Sequence, residues 1–118
     1  MATTREAQQF GRNLVWFGAG FQMNYSLDVT AARTLTEQDP RLVRVNATGG
    51  AFTLTLPPTP STGCTFTVKE SAGLTTAVTV SGNGKNIEGS ANYSMNGAYR
   101  VRTLRYSGTQ WEFIGGLA

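Results

Sequence analysis

From Arg33 onward, apolar and polar positions alternate with a period of two, the pattern of strands with one buried face. In Arg41–Ala47, Val43 and Val45 alternate with Arg44 and Asn46. In Ala51–Leu56, Phe52, Leu54 and Leu56 share one face, and Thr53 and Thr55 the other. Cys64, Phe66 and Val68 alternate in the same way with Thr65, Thr67 and Lys69, and Val78 and Val80 mark another strand. Ile87 lies in a short strand before Gly89, and Tyr93 and Met95 lead into Asn96-Gly97, a hairpin signal because both residues tolerate positive φ. Tyr99–Tyr106 reads as the longest strand, and Ser107-Gly108 turns it into Gln110–Ile114, with Trp111 and Phe113 in phase. Between these runs lie turn signals: Thr48-Gly49-Gly50, the Pro57-Pro58-Thr59-Pro60 stretch that cannot continue a ladder, Glu70-Ser71-Ala72-Gly73 and Gly82-Asn83-Gly84. The pattern predicts an all-β module over residues 33–118: a small antiparallel β-sandwich or barrel of about seven or eight strands.

Residues 1–32 follow a different rule. Thr4 is placed to cap a short helix over Arg5–Phe10, with Gly11 ending it. The segment then becomes aromatic and punctuated by glycine. It packs on its own domain's core, or it is an arm that docks on another protein. Phe10, Leu14, Trp16, Phe17, Phe21 and Tyr25, set among flexible residues, favour the arm, because interfaces are enriched in large aromatics. These six are the candidate contacts to a partner. The most apolar run, Asn13–Phe21, is about half the length needed to cross a bilayer, so no membrane span is expected.

Composition narrows the chemistry. The 118 residues contain no histidine, which removes the commonest general base and metal ligand. Cys64 is the one cysteine, so no intrachain disulfide or Cys/His zinc site is expected; in phase with Phe66, it reads as a buried, inert thiol. Glu37 and Asp39 are the only acids close in sequence and read as a solvated turn. No enzymatic activity, metal or cofactor is expected. Charged residues are 14% of the chain, below the roughly 25% usual in soluble domains, which suits a β surface partly covered in an assembly. The net charge is only +3, and the single dense basic run is Arg100, Arg102 and Arg105. These are candidate intersubunit or polyanion contacts. Arg100 and Arg102 share a strand face, which Arg105 would join only across a bulge. Nucleic-acid binding is not expected from so short a run.

Several of these pieces, in order, resemble a C-terminal module of tailed-bacteriophage fibre, spike and head-decoration proteins, over about residues 35–116. The matching parts are Thr34-Leu35-Thr36 to Asp39, the strand Leu42–Asn46, the Thr-Leu-Thr-Leu-Pro-Pro end at Thr53–Pro58, and Gly63–Lys69. Thr76–Val80, Gly84–Gly89 and the Gly-Thr-Gln-Trp-Glu-Phe run at Gly108–Phe113 complete it. The resemblance implies a β-sandwich-like module in the virion, often a homotrimer. This chain has no long shaft or receptor-binding tip, which favours a small protein decorating the capsid. Its expected partners are the major capsid protein or another virion protein, and further copies of itself. Its expected location is the virion, after synthesis in the host cytoplasm. A short tail fibre or adaptor is an alternative in the same class. A carbohydrate-binding module is an alternative in another, with Trp16, Tyr93, Tyr99, Tyr106 and Trp111 as candidate stacking residues and a glycan as partner.

Overall fold

The computed structural model describes residues 15–17, 20–22, 26–75, 77–95 and 97–116, with side chains from Ser26 onward. It is all-β, and no helix occurs among the described residues. The helix expected over Arg5–Phe10 lies outside them. The strands are β1 (Val15–Phe17), β2 (Gly20–Gln22), β3 (Ser26–Val29), β4 (Arg33–Thr34), β5 (Leu42–Val45) and β6 (Phe52–Thr55). They continue with β7 (Thr65–Glu70), β8 (Val78–Ser81), β9 (Asn86–Ile87), β10 (Asn92–Ser94), β11 (Val101–Tyr106) and β12 (Gln110–Gly116).

The sheet arrangement differs from the antiparallel one expected. From β3 to β11 the chain crosses from one sheet to the other at every strand. A six-stranded sheet has the order β3-β5-β7-β11-β12-β9, and a four-stranded sheet the order β10-β8-β6-β4. Pairs β3/β5, β5/β7, β4/β6, β6/β8 and β9/β12 are parallel. The path from β3 to β8 is thus a flattened coil in which each turn lays one strand on each sheet. Parallel neighbours need a crossover of about a dozen residues or more. Here the crossover is a strand of the opposite sheet, not a helix. At the far end the direction reverses: β10 runs antiparallel to β8, and β11 is antiparallel to both β7 and β12. Period-two alternation is the same in parallel and antiparallel strands, so it could not report this direction.

Turn chemistry was misleading for the same reason. The strands on either side of Asn96-Gly97 do not pair as a hairpin: β10 lies in the four-stranded sheet and β11 in the six-stranded one. Ser107-Gly108 is the turn that joins consecutive strands of the module within one sheet, and it closes the β11/β12 pair. Tyr99 lies outside β11, with φ at 59°.

The inward faces meet as expected. Val43, Val45, Leu54, Leu56, Phe66, Val68, Val80, Leu104 and Trp111 are inaccessible to solvent. Trp111 packs with Phe66 (ring centroids 6.3 Å apart) and Tyr106 (5.4 Å). Burying an aliphatic or aromatic side chain of this kind contributes about 1.5–3 kcal/mol, so this one layer holds the two sheets together.

The boundary of the module also moves. The sequence divides the chain after residue 32, but β3 pairs with β5 from Ser26 to Val29, and Val29 is buried in the core. The paired module therefore includes Ser26–Val29. The β1/β2 hairpin is a separate two-stranded sheet, with Trp16 opposite Phe21 in its register.

Candidate interaction surface

The outward faces of the two sheets have different chemistry. On the four-stranded sheet, register aligns Thr34, Thr55, Ser81 and Asn92 in one row and Thr53, Thr79 and Ser94 in the next. These rows form an array of hydroxyl and amide groups without a charge. On the six-stranded sheet one outward row is Asp28, Arg44, Lys69 and Val101, and the next is Ser26, Leu42, Thr67 and Thr103. Arg44 pairs with Asp28 at 2.9 Å, and the Thr67 and Thr103 hydroxyls lie 3.0 Å apart. The low charge of the sequence is thus expressed on the four-stranded face, while the six-stranded face carries Asp28, Arg44 and Lys69.

The three arginines of the basic run are not brought together. β11 is regular against β7; the irregularity lies in β12, where Leu104 faces Phe113 but Thr103 faces Gly115. Arg102 therefore keeps the inward phase of Leu104 and Tyr106, and Arg105 the outward one. Arg102 sits at the seam between the sheets. Its guanidinium carbon is 4.1 Å from the Phe113 ring centroid and 5.7 Å from that of Tyr93, and its Nε donates to the Tyr93 hydroxyl at 3.4 Å. Tyr93 and Phe113 meet edge to face at 4.8 Å. This cluster joins β10, β11 and β12 as a clasp. Arg105 is exposed, opposite Glu112 in register, and Arg100 precedes β11 with its side chain against Gly97. Of the arm residues, Trp16 and Phe17 lie on β1 and Phe21 on β2. Phe10, Leu14 and Tyr25 lie outside the described residues.

The two acids close in sequence, Glu37 and Asp39, have structural employment. The Glu37 carboxylate accepts the Ser61 N–H at 2.6 Å, and Asp39 accepts from Arg33 and from the Thr36 N–H. Glu37 borders a cleft also lined by Thr36, Gln38, Pro57, Pro58 and Thr59. Among the described residues, no three His, Cys, Asp or Glu side chains cluster as metal ligands would. Cys64 is buried as expected, but a basic neighbour stands beside it that sequence proximity did not give. Arg41 lies over the Phe66 ring and points Nη1 at the sulfur, 3.9 Å away. Burial, reinforced by the Glu37 charge, nevertheless raises the thiol above its ordinary pKa, and Arg41 only partly opposes this.

The feature missed by the sequence reading is Glu70. It ends β7 in the inward phase of Cys64, Phe66 and Val68, and it is 1% exposed. Its Oε1 accepts the N–H groups of Gly73 (2.8 Å), Leu74 (3.2 Å) and Tyr99 (2.9 Å), and Oε2 that of Ala72 (3.0 Å). Burial acts to raise its pKa, but the four N–H donors outweigh burial and hold the carboxyl below its usual range. One buried carboxylate thus fixes two loops, 71–74 and 97–99. The inward parity of residue 70 was the available signal.

Of the stacking candidates, Trp111 and Tyr106 are in the core, Tyr93 is half-buried in the clasp, and Tyr99 is exposed. A scan against protein-family models finds no match, and a search of curated proteins finds no matching relative.

Proposed function

We propose that this chain is a structural protein of a tailed-bacteriophage virion. It decorates the capsid as a homotrimer bound to the major capsid protein or another virion protein, and it performs no catalysis. The observation that supports this reading best is the β1/β2 hairpin. Carrying Trp16, Phe17 and Phe21, it pairs with neither large sheet, next to a module whose four-stranded face is an uncharged hydroxyl array. We read the module as a short β-solenoid. Copies associate through its four-stranded face, which needs little desolvation of charge, and aromatic anchors of the hairpin dominate attachment.

The test is occupancy on undecorated particles. The full chain is expected to bind, and a chain lacking residues 1–25 to remain folded and fail to bind. Light scattering is expected to give three times the 12.7 kDa chain mass. A monomer at micromolar concentration, or normal occupancy by the truncated chain, would overturn the reading.

A further inference from the structure

Tyr99 is held in the left-handed region, φ 59°, which sterics disfavour for a bulky residue. It is also 58% exposed, so burial of the ring does not offset the strain. Contacts on three sides fix it. Glu70 accepts its N–H, Lys69 donates from Nζ to its carbonyl oxygen at 2.7 Å, and the ring lies down on Gly73. A Cβ at Gly73 would come within 2.8 Å of the Tyr99 hydroxyl oxygen, and Gly73 itself has φ 78°. Backbone strain that is over-determined in this way concentrates at sites that contact ligands.

The charge around the ring is unbalanced. The Lys69 ammonium stands over the ring, 5.5 Å from its centroid. Glu70 is turned inward and its oxygens are committed to four N–H groups. The surface therefore offers a rigid aromatic ring with one ammonium group beside it.

We propose that Tyr99 is the stacking platform of a glycan-binding site for a pyranose bearing a carboxylate, with Lys69 contacting the acid. A pyranose presents a face of C–H groups that packs on an aromatic ring, and a tyrosine already fixed in place loses little freedom on binding. Lys69 uses one donor on the Tyr99 carbonyl and keeps two for a carboxylate. This inference is independent of the virion reading.

The experiment uses the full chain with a hexuronic-acid oligosaccharide and a neutral oligosaccharide of equal length, by calorimetry and by NMR shift mapping. The acidic probe is expected to bind, with shifts centred on Tyr99, Gly73 and Lys69, and at least about tenfold more tightly than the neutral one. Tyr99→Gly accepts the backbone conformation, so its melting temperature should stay near the parent's while affinity falls at least about tenfold. Gly73→Ala, which displaces the ring, should also weaken binding. No saturation by the acidic probe, equal affinity for both probes, or unchanged affinity in a folded Tyr99→Gly chain would each overturn the proposal.

Discussion

Replacing Glu70 by Gln alters one functional group and leaves the shape almost unchanged. The glutamine oxygen can still accept from Gly73, Leu74 and Tyr99, but its NH2 group then meets the Ala72 N–H, donor against donor. Hydrogen bonds to a charged acceptor contribute about 1.5–3 kcal/mol each, and an unsatisfied buried donor costs about 1–3 kcal/mol. Losing the charge and one acceptor together should cost about 2–4 kcal/mol. At about 4 °C per kcal/mol for a chain of this size, the melting temperature should fall by roughly 8–16 °C. Acid supplies a second readout. The folded-state pKa of Glu70 is depressed, so its contribution is fully present above the unfolded value, about 4.3, and is lost as pH falls through the folded value. Parent and Glu70→Gln should therefore differ most near neutral pH and converge in acid. Circular dichroism melts from pH 7 down to about pH 2 measure both effects. A Gln variant that melts within about a degree of the parent at pH 7, or a gap that does not narrow in acid, would refute the assignment of Glu70 as the anchor of the two loops.

Three further outcomes follow from the packing. Trp111→Ala should cost about 3–5 kcal/mol, read by urea denaturation, because the indole is inaccessible between Phe66 and Tyr106. Cys64 should react with a thiol reagent far more slowly in the native chain than in urea; equal rates would place it outside the core. Deleting residues 1–25 should preserve a cooperative melt, whereas deleting residues 1–32 removes β3 and Val29 and should lower the melting temperature by several degrees; equal melts would show that β3 adds nothing.

The inward face of nearly every strand was legible because alternation reports burial directly: Val43, Leu54, Phe66, Val80 and Trp111 all lie where their phase puts them. Which strand lies beside which was not legible. Thr48-Gly49-Gly50 and Asn96-Gly97 read as local reversals, yet each leads from one sheet to the other, since a turn signal fixes only the residues it contains. The position of β3 was hidden because Leu27 and Val29 are two short steps of alternation beside an aromatic segment of other character. Of the candidate surface, the hydroxyl rows were implicit in the outward threonines, but only register aligns them. The separation of Arg102 from Arg105 follows from the regular pairing of β11 with β7, while the irregularity falls in β12. The Arg41 contact with Cys64 spans 23 residues, beyond any local pattern.

The central place of β7 has a consequence for the order in which the chain can fold. One neighbour, β5, is made before it, and the other, β11, begins about thirty residues later in the chain. Until β11 arrives, the inward side chains of β7 face a half-built interior, and the largest of the core residues, Trp111, comes later still on β12. Contacts of such sequence separation make folding slow, and a nascent chain emerges N-terminus first. The coil of β3 to β8 can therefore only be provisional during synthesis. Closure waits for the C-terminal hairpin, and burial of the Trp111 indole is the spectroscopic event that marks it.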